Sequence, residues 1–377
     1  MADEAIHRAS MRRLGEIDWD FPTRPSESAF SSLHWHPCRF PSQIPAITLA
    51  RLTNPGDLIL DPFMGSATTI VEAQRLGRPS VGIDINPISC LMARAKTLDL
   101  SAEAISYQVA RLDLLLTQNW DALELAHIPE SVQTEKWYTY ETAQGLAKLW
   151  AIIQALQGPA FDFAAGAFSS ILLGACRETR HWGYVCDNTT PQSNRTADTR
   201  DLFRTALKRF AKAYHERDES WRSGPTECSI IEGDAKEALA AFPEERFAAV
   251  VTSPPYYGVA DYVKAQRLSM EWFGFEIEKV RRREIGARSK RHRRTSALDY
   301  QLEVRSVFEE TYRVLKRGGV GVVIFGQSPS RKDLETSFVE DLISIGFSIE
   351  LERRRQIAST RRLRPSVLDE TVLVIRK

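Results

Sequence analysis

Apolar positions follow two rhythms along this chain. Short, mainly apolar runs bounded by Gly, Pro or Asp predict strands at Leu58–Leu60, Val81–Asn86, Ser229–Ala235, Ala248–Val251 and Gly318–Gly326. Apolar residues at helical spacing predict helices over Ser42–Leu52, from Thr68 to Leu76, and at 88–97, 236–241, 262–273, 298–315 and 333–345. Strand, turn, helix and strand from 58 to 86 make a βαβ unit, whose ligand belongs at the strand C-termini. Segments 347–357 and 368–375 are expected to close the sheet as an antiparallel pair. The expected fold class is therefore α/β, a Rossmann-like, mostly parallel sheet with an antiparallel C-terminal strand.

From about residue 88 to 225 the helical rhythm takes over. Helices are expected at 102–125, 140–157, 162–178 and 198–221, with polar breaks at Ile128–Lys136 and Arg180–Arg200. The block interrupts the sheet, so three units are expected: 1–100 with an N-terminal arm and the first βαβ unit, 101–225 as a helical insertion, and 226–377 as the rest of the sheet domain.

Two turns carry candidate chemistry. In Asp61-Pro62-Phe63-Met64-Gly65-Ser66-Ala67-Thr68-Thr69 the strand breaks at Pro62, and the small residues let a ligand approach the backbone. Asp84 ends the next strand 23 residues after Asp61, a spacing suited to a carboxylate that grips ribose hydroxyls. A dinucleotide site would want G-x-G-x-x-G for a pyrophosphate, and this turn has one glycine, which weakens a nicotinamide reading. In Thr252-Ser253-Pro254-Pro255-Tyr256 a strand runs into two prolines that fix φ and lack N–H groups. The corner offers a side-chain acceptor, exposed carbonyls and an aromatic face, which suits a planar group bearing an NH₂; an ordinary strand-ending turn with a packing Tyr is the plainer alternative.

Charge is local. The net charge is +1, but 281–294 holds Arg281, Arg282, Arg283, Arg288, Lys290, Arg291, Arg293 and Arg294 against the single acid Glu284, so this segment carries +7 and the rest −6. It reads as a phosphate-binding loop or as a solvated one. Arg177, Arg180, His181, Trp182 and Tyr184 mix bases with aromatics, as nucleic-acid surfaces and helix ends both do. Five scattered cysteines without C-x₂-C spacing, and His34 and His36 without a near third ligand, predict no metal. There is no apolar run of membrane-spanning length and no signal-peptide pattern at Met1–Ser10, so no membrane partner is expected and a cytoplasmic location is.

Taken together, these motifs resemble a family. Asp61–Thr69 is similar to the "DPFxGSGTT" motif of the amino-methylating DNA methyltransferases, and Thr252–Tyr256 looks like their "(D/N/S)PP(Y/F)" motif in its TSPPY form. His36-Pro37-Cys38-Arg39-Phe40-Pro41 is similar to the segment preceding the first motif. The turn departs from the pattern at Ala67, where a second glycine is usual.

The resemblance implies S-adenosylmethionine as cofactor. His36, Phe40 and Pro41 would sit near its methionine end, and Asp61, Pro62, Phe63, Gly65, Ala67 and Thr68 would line its turn. Asp84 would take the ribose hydroxyls and Asp234 the adenine amine, with Asn86 and Ala235 beside them. Ser253, Pro254, Pro255 and Tyr256 would hold a base flipped from duplex DNA. Serine rather than aspartate before the prolines points to cytosine N4, with adenine N6 as the alternative; an RNA amino-methyltransferase and a non-catalytic nucleic-acid-binding module are more distant ones. Pro37-Cys38 precedes the cofactor turn, which argues against carbon-5 chemistry. A cognate restriction endonuclease is an expected partner of such an enzyme.

Overall fold

The computed structural model describes residues 11–21, 29–118, 120–177, 190–191, 193–221, 226–290, 292, 294–326, 331, 333–357 and 369–377. Seven strands form one sheet: β1 (Ile59–Asp61), β2 (Ser80–Asp84), β3 (Cys228–Glu232), β4 (Phe247–Thr252), β5 (Leu315–Gly326), β6 (Ser348–Gln356) and β7 (Asp369–Arg376). Their order is β3-β2-β1-β4-β5-β7-β6. The pairs from β3 to β5 are parallel, and only β7 runs against its neighbours. The order reverses direction at β1 and β4, and a crevice opens beyond their C-terminal ends, as doubly wound sheets require.

The unbroken apolar runs have a simple cause. Both faces of the sheet are covered, so alternate residues enter different cores. Val250, Val323 and Leu373 join one core with Leu239, Phe308 and Phe338. Their neighbours Val251, Val322 and Val372 join another with Ile44, Leu49 and Ala73. Helices α1 (Gln43–Leu52) and α2 (Thr68–Arg75) cover the second face.

Helix α3 (Pro87–Lys96) follows β2 and turns its outer side to the helical block. The block comprises α4 (Ala102–Gln118), α5 (Val132–Trp137), α6 (Tyr140–Gln154), α7 (Gly158–Leu172) and α8 (Thr199–Ser220). Leu91, Met92 and Ala95 of α3 share one apolar cluster with Phe163, Phe168 and Phe210 of the block. The Tyr214 hydroxyl donates to the Ala95 carbonyl at 2.9 Å, and Arg217 Nη1 donates to the Leu98 carbonyl at 2.9 Å. The insertion is thus packed on the helix that follows the acid-bearing strand.

Several elements differ from expectation. Helix α5 lies in a stretch read as a polar break; Ser131 caps it, its Oγ accepting from the Thr134 N–H at 3.1 Å. The helix expected over 262–273 is two, α10 (Tyr262–Ala265) and α11 (Arg267–Trp272), which meet at Gln266 with φ −103°. The basic segment begins in α12 (Ile277–Arg283) and continues in a 3₁₀ turn, Arg288–Lys290, so it is not simply a loop. Ile277 and Val280 pack against the apolar cluster under the block, which supplies the burial that a loop reading left out. Helix α9 (Ala235–Ala240), α13 (Ser296–Val314) and α14 (Asp333–Ile345) complete the layers. No helix among the described residues is long and apolar enough to cross a membrane.

Candidate active site

Two strand ends build the site. After β1 the chain turns sharply, and Gly65 at φ 49° and Ala67 at φ 62° both occupy the left-handed region. Gly65 takes that conformation at little cost. It also leaves room for a neighbour, because a Cβ there would stand 3.1 Å from His36 Cε1. Ala67 precedes α2, and its methyl is buried with Met64, Ile70, Cys90 and Ala93, away from the cleft.

Asp61 is fully buried beneath this turn. Its Oδ1 accepts from the Phe63 N–H at 3.2 Å and from the Thr252 hydroxyl at 2.7 Å. Burial pushes its pKa up to about 7, against the pull of these bonds. Asp84 stands at the end of β2: its Oδ2 accepts from the Gly65 N–H at 2.7 Å and its Oδ1 from the Asn86 N–H at 2.8 Å. Burial pushes Asp84 up to about 6. Asn86 caps α3, accepting from the Ile88 N–H at 3.0 Å, and its buried Nδ2 has no hydrogen-bond partner among the described residues. Asp234 caps α9, accepting from the Lys236 N–H at 2.9 Å.

Behind the turn, buried Lys96 donates from Nζ to the Ser66 carbonyl at 2.8 Å, and burial lowers its pKa to about 7. His36 donates from Nδ1 to the Pro37 carbonyl at 2.7 Å and stacks near Tyr262, with ring centroids 6.3 Å apart. Burial lowers its pKa to about 4, so the ring is neutral at pH 7.

The second strand end is the Pro-Pro corner after β4. Tyr300 donates from its hydroxyl to the Pro255 carbonyl at 2.9 Å, and the Tyr256 N–H donates to Tyr262 Oη at 3.2 Å. None of the described backbone hydrogen bonds in turns and loops ends on the Pro254 carbonyl. Ser253 is partly exposed. Tyr256 is buried, with its ring against Gly326, where a Cβ would collide at 2.0 Å. Its hydroxyl donates to Glu370 Oε2 at 2.7 Å.

One cleft of about 900 Å³, open mouth included, joins both ends. Its walls include His36, Phe40, Pro62, Phe63, Gly65, Asp84, Asn86, Asp234, Ala235, Ser253, Pro254, Pro255 and Tyr256. Pro41, Asp61, Ala67 and Thr68 are buried without lining it. Sequence reasoning missed Tyr262 and Glu284 in the wall, and Arg283, expected at phosphate, lines it too. Glu284 accepts at Oε1 from the Tyr262 N–H and, at 3.4 Å, from the Val263 N–H. Burial pushes it up to about 7. Its one signal was being the lone acid in a basic run.

That run is partly committed within the fold. Arg283 Nη2 donates to Glu237 at 2.7 Å, Arg281 Nη1 to Glu278 at 2.5 Å, and Lys290 Nζ to the Arg282 carbonyl at 2.9 Å. Arg282 and Arg294 are exposed and Arg288 half-buried, while Arg291 and Arg293 lie outside the described residues. Arg177 donates from Nε to the Tyr138 carbonyl at 2.9 Å, and Arg180, His181, Trp182 and Tyr184 lie outside the described residues. The described residues contain no cluster of His, Cys, Asp or Glu able to hold a metal.

The strand order, the reversed β7 and a cleft at the C-terminal ends of β1, β2 and β4 define a Rossmann-like class I methyltransferase fold. Residues 8–94 match the model of a DNA methylase family. The chain is 25% identical over 251 residues to the type II methyltransferase M.BsoBI of Geobacillus stearothermophilus, covering 60% of this chain and 49% of that protein. It is 24% identical over 242 residues to M.MvaI of Kocuria varians, covering 58% and 51%. With M.MjaII of Methanocaldococcus jannaschii it shares 38% over 90 residues, 22% of this chain and 17% of that one. The matched part thus spans about half or less of each of these relatives. Over these stretches the chain is similar to DNA methyltransferases.

Proposed function

We propose that this chain moves a methyl group from S-adenosylmethionine to the exocyclic amine of a base flipped out of duplex DNA, with cytosine N4 the preferred acceptor. The observation that carries this reading is the shared cleft: the Phe63–Ser66 turn with Asp84 on one wall, and Ser253–Tyr256 on another.

The residues present fit the cofactor. Gly65 leaves space against His36, Asp84 offers carboxylate oxygens at the strand end, and the buried Asn86 amide nitrogen has no hydrogen-bond partner among the described residues. Asp84 and Asn86 would hold the ribose side, Asp234 and Ala235 the adenine side, and His36 and Phe40 the methionine side. Bound there, S-adenosylmethionine supplies a methyl group on a positively charged sulfur.

The chain's own residues would prepare the acceptor. The lone pair of a ring amine is delocalised, so the nitrogen is a poor nucleophile. Acceptors placed on its two N–H bonds pull it towards tetrahedral geometry and free the lone pair. Ser253 Oγ and the Pro254 carbonyl suit this task, because the neighbouring Pro255 carbonyl is already taken by Tyr300. Prolines hold these acceptors fixed, so little reorganisation is needed at the moment of transfer. Neutral, half-buried His36 adds no positive charge beside the sulfonium. Exposed arginines of 281–294 would contact phosphate.

The test is incubation with labelled S-adenosylmethionine and DNA, followed by nucleoside digestion and mass spectrometry. N4-methylcytosine is expected. N6-methyladenine would keep the family reaction but move the acceptor, and absence of label in any nucleoside would overturn the reading.

A further inference from the structure

We propose that Glu370 receives the proton released by methyl transfer, passed to it from the target amine through Ser253 and Tyr256. The inference rests on the reaction proposed above and adds a residue that neither motif contains.

The chemistry demands an outlet. Once the exocyclic nitrogen bonds the methyl carbon it carries positive charge, and it must shed a proton to restore delocalisation. A neutral serine cannot store that proton, so Ser253 needs a base behind it. The structure provides a directed chain. Arg355 on β6 and Glu370 on β7 are register partners and form a buried ion pair. Arg355 also donates from Nε to the Trp19 carbonyl at 2.8 Å. Glu370 Oε1 pairs with Arg355, and its Oε2 accepts from the Tyr256 hydroxyl at 2.7 Å. Tyr256 Oη in turn accepts from the Ser253 hydroxyl at 3.4 Å, a long contact of the kind that substrate binding tightens. Ser253 therefore points its proton away from the cleft and keeps its lone pairs for the amine.

The surroundings favour transit over storage at the phenol. Burial and the Glu370 charge hold Tyr256 well above the ordinary tyrosine pKa, so it passes a proton without resting as phenolate. Cys38 and Tyr262 are the other titratable groups around it. Beyond β7, Glu335 of α14 accepts from Thr371, the next residue along the strand, and pairs with Arg354.

The step balances. The N–C bond forms as the C–S bond breaks, whose electron pair goes to sulfur. The amine N–H pair stays on nitrogen while its proton moves to Ser253 Oγ. Ser253 gives its own proton to Tyr256, and Tyr256 gives its own to Glu370, which ends neutral. A counterion role for Glu370 alone would need nothing from Tyr256.

The test compares wild type, Tyr256→Phe and Glu370→Gln in single turnover with DNA and S-adenosylmethionine, in H₂O and in H₂O/D₂O mixtures. Both variants should lose about 10²-fold in transfer rate, the scale of general base catalysis. Cofactor and DNA Kd should stay within about twofold, since Tyr256→Phe keeps the ring in the cleft wall and changes only its hydroxyl, and Glu370 does not line the cleft. The proton inventory should be bowed for wild type and straight for Tyr256→Phe. If Glu370→Gln fails to fold because Arg355 loses its partner, Tyr256→Phe decides, as it keeps the ion pair. A wild-type rate and inventory in Tyr256→Phe, or a fall in rate matched by weaker binding, would overturn the relay. Wild type that methylates neither cytosine nor adenine would instead overturn the proposed reaction.

Discussion

The Thr252 hydroxyl donates to Asp61 Oδ1 at 2.7 Å, linking the ends of β4 and β1 just beneath the cleft. This bond ties the small-residue turn to the Pro-Pro corner, two segments 191 residues apart in the chain. Thr252→Val keeps the shape and removes the donor. It should cost about 1 kcal/mol, the net worth of one hydrogen bond whose acceptor keeps the Phe63 N–H, measured by urea denaturation. Methyl transfer should fall as well, because the two walls lose their common anchor.

Asp61 gives stability a pH dependence of definite sign. Its pKa is near 7 in the fold against an ordinary 3.8, so the native state binds the proton more tightly. Its contribution is full below pH 4, fades as pH rises through 7, and is flat above that. Asp84, raised to about 6, acts in the same direction. Asp61→Asn should therefore gain stability relative to wild type as pH rises from 4 to 7, checked by denaturant melts across that range.

Gly65 and Ala67 share a backbone region but face different surroundings. Gly65→Ala brings a methyl to 3.1 Å from His36 Cε1 at φ 49°, and should weaken cofactor binding in calorimetry. Ala67→Gly removes left-handed strain worth about 1–2 kcal/mol, but also a buried methyl worth about 0.8 kcal/mol and some chain stiffness. It should shift stability by less than about 1 kcal/mol and leave cofactor affinity unchanged, because the methyl lies in the core under the turn.

Ser253→Ala removes one of the two proposed acceptors without touching the cofactor wall. Transfer should drop by roughly 10²–10³-fold, the effect of removing one preorganised polar group. Cofactor Kd, read by calorimetry, should be unchanged; an unaltered rate would sink the assigned role of Ser253.

Reversing Arg282, Arg288 and Arg294 to Glu should weaken DNA binding and flatten the slope of log Kd against log salt by about one for each phosphate that is no longer neutralised. Arg283 is a poorer choice for this measurement, since it is paired with Glu237. An unaltered slope would remove the segment from the DNA interface.

Most of the sheet was legible in the sequence because both faces are buried. Val250 and Val251 supply opposite cores, so the strand reads as one apolar run. What local pattern could not show was partnership across the chain. Asp61 reads as a ligand group, yet Thr252 of β4 and its own burial turn it into a strut. Arg355 and Glu370 become partners only through the register of β6 and β7, which no spacing announces. Helix α12 was hidden by charge, since seven residues ending in three arginines look solvated until Ile277 and Val280 find the block.

The seating of the helical block on α3 has a mechanical outcome. Leu91, Met92 and Ala95 face the insertion, while Asn86 at the other end of the same helix borders the cleft. Cutting the block away would bare one whole flank of that helix to water and loosen the floor of the cleft. A pull on the insertion would travel along a single rigid rod of ten residues to Asn86 at the cleft.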